Sequence, residues 1–305
     1  MSKPMRMFNP EMETMPHEQM RALQLKRLKR MVAYCYERVP MYRTRMDDMG
    51  VKPQDIRTLA DVSLLPFTVK DDVRDNYPYG LLAVPMKEIV RLHASSGTTG
   101  KPITAGYTRN DLNNWAEMVA RLCVAGGASD EDIAQISFGY GLFTGALGLH
   151  YGLEKLGATV VPVSSGNTER QIMLMRDFGV TVLIATPAYA MYMAETAERM
   201  GLIHELKLKY GILGAEGSTE EMRAELERRW GGITVTENYG LPEIMGPGVA
   251  TECLCKQGMH ISEDHVIPEI IDPVTGEQLP YGVQGELVFT TITKEGFPAI
   301  RYRTH

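Results

Sequence analysis

The most informative stretch of the sequence is Arg91-Leu92-His93-Ala94-Ser95-Ser96-Gly97-Thr98-Thr99-Gly100-Lys101-Pro102. It begins like a strand and continues as a loop of small residues, hydroxyl groups and one lysine. The two glycines let the backbone turn, so that several N–H groups can point at one anion. Ser95, Ser96, Thr98 and Thr99 add hydroxyl donors, and Lys101 adds a mobile positive charge. The stretch therefore predicts a loop that binds a polyphosphate.

Two other kinds of loop have a similar composition to this stretch. A Walker loop needs four residues between its glycine and a Gly-Lys-Ser/Thr ending, whereas Gly97 and Gly100 stand three apart and Pro102 follows Lys101. The Walker pattern is therefore excluded. A flexible surface turn rich in glycine and threonine has a similar composition, and this stretch alone leaves it open.

Residues 95–102 resemble the phosphate-binding signature of the adenylate-forming superfamily, which contains acyl-CoA synthetases, luciferases and peptide-synthetase adenylation domains. Further stretches resemble the phenylacetate-CoA ligase family, in that family's order. They are LPFTVKDD (65–72), NYGLPEIMGPG (238–248), EDH (263–265) with PEIIDP (268–273), and IRYRT (300–304). The resemblance implies an α/β fold, namely a large N-terminal domain of parallel-rich sheets flanked by helices with a small β-rich subdomain, and without the C-terminal small domain.

The same resemblance implies a nucleotide site. Asn238 and Tyr239 would contact the adenine, and Glu243 would coordinate Mg²⁺. These residue types suit the roles, because an aromatic ring stacks on a purine, an amide pairs with its edge, and Mg²⁺ prefers carboxylate oxygens. The implied catalytic residues are Thr98, Lys101 and Glu243. The implied cofactor-binding residues are Ser95, Ser96, Gly97, Thr98, Thr99, Gly100, Lys101, Gly214, Ala215, Glu216, Asn238, Tyr239 and Gly240.

A glycine-aromatic turn at residues 138–145 is the candidate acid pocket. Glycines let an aromatic wall approach a ligand closely, and the family's carboxylate pocket lies near the counterpart of this segment. The substrate-binding candidates are Tyr140, Phe143, Gly145, Ala215 and Met245. Core aromatics beside flexible glycines are an equal alternative for Tyr140 and Phe143.

Strands alternate with helices along the middle of the chain, which predicts a parallel sheet. Ligands gather at the carboxyl ends of such strands, where residues 214–216 lie. Ser218, with Glu221 three places on, predicts a capping box for the next helix. The predicted divisions are an N-terminal helical arm (1–60), an α/β adenylation core (61–258) and a β-rich subdomain ending at the interdomain hinge (259–305).

Charge and composition restrict the classes of partner. The 305 residues carry 32 basic and 38 acidic side chains, a net charge of -6, which argues against a nucleic-acid binder. The sequence shows neither a signal core nor an apolar stretch suited to a bilayer, and we expect a cytoplasmic protein without membrane contact. The resemblance also implies a homodimer.

Four cysteines are too few for a disulfide scaffold in a chain of this length. Cys253, Cys255 and His260 are spaced so that they could hold three corners of a Zn²⁺ site. A fourth ligand is not evident in the sequence, although some relatives carry a further cysteine pair beyond its end. Two reduced cysteines in a loop are the alternative.

Two departures from the family pattern affect the expected activity. Pro242 stands where the family usually has a serine or threonine whose hydroxyl reaches the α-phosphate, so one phosphate contact is in doubt. The chain ends at His305, before the aspartate that holds the ribose and before the small domain that carries a catalytic lysine. We therefore expect weak nucleotide binding and little or no ligase activity.

The resemblance implies a two-step reaction that uses ATP, Mg²⁺ and coenzyme A. An aryl carboxylate, preferably phenylacetate, is converted to an acyl-adenylate and then to an acyl-CoA thioester. The alternatives are a ligase or adenylylating enzyme for a different carboxylic acid, and a non-catalytic nucleotide-binding module.

Overall fold

A computed structural model describes residues 6–94 and 102–304. The helices are α1 (Pro10–Glu13), α2 (His17–Arg38), α3 (Pro40–Asp48), α4 (Lys70–Asp75), α5 (Arg109–Ala125), α6 (Thr144–Leu156), α7 (Thr168–Phe178), α8 (Pro187–Arg199) and α9 (Glu220–Arg229). The strands are β1 (Arg91–Ala94), β2 (Thr104–Tyr107), β3 (Ile133–Ile136), β4 (Thr159–Val161), β5 (Val182–Ala185), β6 (Tyr210–Gly214), β7 (Thr234–Leu241), β8 (Gly246–Glu252), β9 (Met259–Ile261), β10 (Val266–Ile271), β11 (Glu286–Thr291) and β12 (Tyr302–Arg303). Within residues 6–94 and 102–304, no helix is both long and apolar enough to cross a bilayer.

The chain divides into two compact units, each assembled from segments that are distant in the sequence. Unit A consists of Met1–Asn9, Trp115–Leu241 and Gly246–His260. Unit B consists of Pro10–Asn114, Pro242–Met245 and Ile261–His305. In the sequence, the short segment Pro242–Met245 of unit B thus separates the two longer segments of unit A.

Unit A is built on a seven-stranded sheet in the order β4-β3-β5-β6-β7-β8-β9. Strands β3 to β7 pair in parallel, and β8 returns antiparallel to β7. Parallel neighbours need crossover connections, which helices α6, α7, α8 and α9 supply. The α/β fold class and the parallel sheet predicted from the sequence are confirmed.

An apolar cluster packs helices α7, α8 and α9 with strands β5, β6 and β7. All four residues of β5 are buried, as expected for a central parallel strand. The Trp230 indole N–H donates to the carbonyl of Ala190 at 3.2 Å, so the largest ring of the cluster leaves no polar atom unpaired. The cluster consists of Ile172, Met175, Val180, Leu183, Ala185, Ala190, Met193, Ala194, Ala197, Leu213, Leu226, Trp230, Ile233 and Val235.

Helix α9 begins one residue later than the sequence predicted. Thr219, not Ser218, is the N-cap, and its side chain accepts a hydrogen bond from the N–H of Met222 at 3.2 Å. The Ser218 hydroxyl instead donates to the Glu237 carboxylate, which also accepts the Ser218 backbone N–H at 2.9 Å. The predicted capping box of Ser218 and Glu221 is therefore wrong, because a carboxylate on β7 competes for the serine.

Unit B contains the β1–β2 hairpin and an antiparallel sheet in the order β10-β11-β12. This sheet confirms that antiparallel β structure accompanies the parallel sheet, whereas the division at residues 259–305 stays a prediction. Arg301, immediately before β12, is buried and forms two hydrogen bonds with the Glu269 carboxylate, at 2.9 and 3.1 Å. It also donates to the carbonyls of Ser63 and Leu65 and stacks 3.9 Å above the Phe67 ring. One guanidinium thus ties the segment 63–67 to the sheet.

We predict that Arg301→Met lowers the free energy of unfolding by about 3–5 kcal/mol, because it leaves the buried Glu269 carboxylate without its partner. The double variant Arg301→Met/Glu269→Leu should recover much of that loss. Chemical denaturation measures both. Breaking the exposed pair of Arg199 and Glu169, which are 63% and 68% exposed, is the matched control and should cost less than about 1 kcal/mol. An equal loss in the control and in Arg301→Met would contradict the prediction.

Candidate active site

The predicted phosphate loop lies between two paired strands of unit B. Strand β1 ends at Ala94 and β2 begins at Thr104, and these two residues are antiparallel partners in the hairpin. The strand-like start of the stretch is therefore confirmed. The residues predicted to bind phosphate lie outside the described residues; they are Ser95, Ser96, Gly97, Thr98, Thr99, Gly100 and Lys101.

In unit A, the structure brings Gly214 and Asn238 together at the carboxyl ends of β6 and β7, where they are register partners. The Asn238 side-chain amide donates to the Leu213 carbonyl at 2.7 Å, which leaves a second N–H and the amide oxygen for another partner. A Cβ atom at Gly214 would lie 2.7 Å from the Asn238 side-chain nitrogen. Glycine at 214 is therefore needed for the amide to lie against this backbone.

The residues on either side of this pair are also part of the predicted adenine site. Ala215 and Glu216 are exposed, and Ala215 has a φ of 72°, which an alanine rarely adopts. Tyr239 is half-buried on β7. A Cβ atom at Gly240 would lie 1.7 Å from the Gly246 carbonyl oxygen, so only glycine fits at the register shift between β7 and β8. Strained and glycine-dependent backbone at the end of a parallel sheet is typical of a ligand site.

The glycine-aromatic turn before α6 presents aromatic side chains from unit A. Phe143 is 41% exposed, its ring lies 6.1 Å from the ring of the buried Phe138, and it contacts Gly145 in the first turn of α6. Tyr140 is half-buried. An exposed phenylalanine beside a glycine is unusual for a core position, and this arrangement favours the pocket-wall interpretation for Phe143.

Tyr140 belongs to a hydrogen-bonded chain that the sequence did not predict. Its hydroxyl lies 3.1 Å from Nδ1 of His150, and Nε2 of His150 lies 3.0 Å from the Glu154 carboxylate. Burial and, to a smaller extent, the charge of Glu154 raise the pKa of Tyr140 to about 12. In the imidazole tautomer that carries its proton on Nε2, the Glu154 carboxylate accepts from Nε2–H, and Nδ1 accepts from the Tyr140 hydroxyl.

The turn Pro242–Met245 of unit B holds the predicted magnesium ligand. Glu243 is 4% exposed, and one of its carboxylate oxygens accepts a hydrogen bond from the Tyr302 hydroxyl at 2.9 Å. Its other oxygen accepts none from the residues that the structure describes. A buried carboxylate with one oxygen oriented and one available fits Mg²⁺, which binds hard oxygen ligands. Met245, a predicted pocket residue, is buried in the same turn.

Two side chains of unit B hold the backbone of this turn. The nitrogen of Lys294 lies 3.1 Å from the carbonyl oxygens of both Pro242 and Glu243. The Tyr107 hydroxyl lies 3.1 Å from the Pro242 carbonyl oxygen and 3.2 Å from that of Met245. Burial lowers the pKa of Lys294 to about 7, although the carboxylates of Asp111 and Glu243 oppose this shift. The amine has enough N–H groups for both hydrogen bonds in either charge state.

The residues do not fit a structural zinc site. Cys253 and Cys255 lie next to each other, and their hydrogen bond raises the pKa of the Cys255 thiol. His260 is exposed on β9. In the described part of the chain, no three His, Cys, Asp or Glu side chains are arranged to hold a metal ion. The zinc prediction therefore has no support from these residues.

Sequence reasoning missed Lys294, Tyr107, His150 and Glu154. A lysine after the apolar strand β11 and a histidine inside α6 have no sequence pattern that distinguishes them from surface residues. Their roles depend on burial and on contacts with residues that are distant in the sequence. Lys294 and Glu243, for example, are 51 residues apart.

The comparisons with known proteins agree with these observations. The pattern that defines the AMP-binding enzymes matches residues 43–293. Phenylacetate-coenzyme A ligase of Thermus thermophilus is 55% identical over 300 residues, which are 98% of this chain and 67% of that protein. The enzyme of the same name from Escherichia coli is 52% identical over 295 residues, 96% of this chain and 67% of that protein. The chain thus spans about two thirds of the length of these relatives.

Solved structures of 2-hydroxyisobutyryl-CoA ligase share the fold. The open conformation, in complex with 2-HIB-AMP and CoA, has a TM-score of 0.91 and 25% identity over 97% of this chain and 71% of that chain. The complex in the thioesterification state has a TM-score of 0.92 and 26% identity over 97% of this chain and 64% of that chain. With relatives more than half identical along almost its whole length, this chain belongs to the AMP-binding enzymes and, among them, to the phenylacetate-coenzyme A ligase family.

Proposed function

We propose that the protein acts in the ATP-dependent conversion of phenylacetate to phenylacetyl-CoA. The observation that carries this proposal is the identity of 52–55% with phenylacetate-coenzyme A ligases over 96–98% of the chain. The geometry also supports it. Side chains suited to parts of the reactants lie at the carboxyl ends of β6 and β7, in the turn with Glu243 and in the turn with Phe143.

The chemistry has two displacement steps. The phenylacetate oxygen attacks the α-phosphorus of ATP, and the bond to pyrophosphate breaks. The thiol of coenzyme A then loses its proton and attacks the acyl carbon, and the acyl–oxygen bond to AMP breaks. Both steps depend on positioning and on stabilisation of charge. Bound Mg²⁺ supplies positive charge to the phosphate oxygens.

The chain's own residues would divide the work. Asn238 offers its second amide N–H and its oxygen to the adenine edge beside Gly214, and Tyr239 offers a ring for stacking. Glu243 would hold Mg²⁺ through its second carboxylate oxygen. Thr98 and Lys101 of the phosphate loop would bind the phosphates. Phe143 and Tyr140 would line the pocket for the aryl group.

We propose two further properties that follow from family membership. The protein would form a homodimer, and it would work in the cytoplasm. Sedimentation at several protein concentrations would reveal the dimer as an apparent mass close to twice 34.0 kDa.

The first prediction from the proposed function concerns the identity of the acid. An analogue of phenylacetyl-adenylate whose acyl phosphate is replaced by a sulfamate should bind at least about 100-fold more tightly than AMP, because it joins both halves of the site. Calorimetric titration of the 305-residue chain measures both affinities, with benzoyl and 2-hydroxyisobutyryl analogues as controls. Tighter binding of a control analogue would favour a ligase for that acid. Equal affinity for every analogue and for AMP would favour a non-catalytic nucleotide-binding module.

The second prediction concerns Mg²⁺. Glu243→Gln keeps an oxygen that can accept the hydrogen bond of Tyr302 but removes the charge. It should weaken the binding of ATP in the presence of Mg²⁺ by at least about tenfold. The affinity for AMP without Mg²⁺ should stay the same. Loss of AMP binding in this variant would show a general structural defect and would contradict the metal role.

The third prediction concerns Pro242, which has no hydroxyl for the α-phosphate. Pro242→Ser should accelerate phenylacetate-dependent ATP–pyrophosphate exchange by about ten- to hundred-fold, the value of a hydrogen bond to a charged group. Pro242→Ala lacks the hydroxyl and is the matched control. Equal rates for the serine and alanine variants would show that this contact has no part in the reaction of this protein.

A further inference from the structure

Lys294 is an unusual residue for the interior of unit B. Its side chain is 0% exposed, and its nitrogen lies 4.7 Å from the centre of the Tyr107 ring and 5.2 Å from that of Phe297. A buried amine costs free energy that an apolar side chain of the same volume would not. Stability alone therefore gives no reason for a lysine at this position.

Among the described residues, Lys294 donates hydrogen bonds to the backbone that carries Glu243. The amine donates to the carbonyl of Glu243 itself and to the carbonyl of Pro242. Pro242 has no backbone N–H, so this turn can be held by its carbonyl groups but not by a donor at that position. Lys294 supplies the donors from the other side.

The remaining contacts of the turn restrict it further. The Tyr107 hydroxyl shares its proton between the carbonyls of Pro242 and Met245. The Tyr302 hydroxyl holds one oxygen of the Glu243 carboxylate. The main chain of the turn and one carboxylate oxygen of Glu243 are thus both held by hydrogen bonds. These two restraints determine the position of the second carboxylate oxygen.

The amine itself is held in place by its neighbours in the chain. The fully buried carboxylate of Asp111 accepts the N–H groups of Glu295, at 2.6 Å, and Gly296, at 2.8 Å. Asp111 also accepts the N–H of Thr108 at 2.9 Å, at the start of α5. The backbone next to Lys294 is therefore attached to a helix, which gives the amine a defined position.

We propose that Lys294 is a positioning residue that holds the backbone of Pro242 and Glu243 so that the carboxylate of Glu243 is presented to the magnesium–ATP complex. This inference rests on the proposed function of Glu243. Replacing a residue that orients a metal ligand typically lowers the affinity for the metal about 10- to 100-fold. A residue that only fills space would change stability and leave the affinity of the folded protein unchanged.

The test compares Lys294→Met, which keeps the volume and removes the donors, with Lys209→Met at a lysine whose side chain is 58% exposed. Two measurements are made on each 305-residue chain: hydrogen exchange of the backbone amides of residues 243–246, and the affinities for ATP with Mg²⁺ and for AMP without it. Lys294→Met should lose exchange protection in this turn and bind magnesium–ATP about tenfold more weakly, with AMP affinity unchanged. The Lys209 control should change neither.

Tyr107→Phe removes only a hydroxyl that donates to the same turn, and it is the second variant, to be used if Lys294→Met does not fold. It should show the same two changes, with a smaller effect on the affinity for magnesium–ATP. Unchanged exchange, or an equal loss of ATP and AMP affinity, would overturn the inference while leaving the proposed function intact. Failure of the unmodified chain to bind magnesium–ATP would instead overturn the proposed function, and the inference with it.

Discussion

A charge that is removed from water must be compensated, and this requirement determines how unit B is assembled. Arg301 satisfies Glu269 and two backbone carbonyls, Asp111 satisfies three backbone N–H groups, and Lys294 satisfies two carbonyls. Each of these groups joins segments that are far apart in the sequence. Lys294 contacts the turn that carries Glu243 directly, and Asp111 holds the backbone next to Lys294, so the compensation of these two charges also restrains that turn.

Unit A depends on a different constraint, the close approach of backbone at the carboxyl end of a parallel sheet. Gly214 and Gly240 stand where a side chain would collide with Asn238 or with the main chain of Gly246. This lets the amide of Asn238 be oriented by the β6 backbone while part of its hydrogen-bonding capacity remains for a ligand. Neighbouring Ala215 has a strained backbone, as is common where function outweighs local stability.

In the proposed function, the end of the parallel sheet in unit A would hold the purine, and Glu243 of unit B would supply a magnesium ligand. The departure at Pro242 is informative in this context. The residue has no donor of its own, yet its carbonyl receives donors from both Tyr107 and Lys294. The family usually has a serine or threonine at this position, which could contact a phosphate. This chain instead has a turn whose backbone is held by two hydrogen-bond donors.

Local periodicity and short motifs were sufficient to predict the fold class, the alternation of strands and helices in the middle of the chain, and the family. The family motifs also predicted Gly214, Asn238 and Glu243 as residues of a nucleotide site, and the structure places Gly214 beside Asn238. The sequence-based prediction failed at the cap of α9, where Glu237 takes the hydroxyl of Ser218, and it gave no sign of Lys294, Tyr107 or His150. These features become visible only in the folded chain, because the role of a lysine, a tyrosine or a histidine depends on which distant groups surround it and on whether water is excluded.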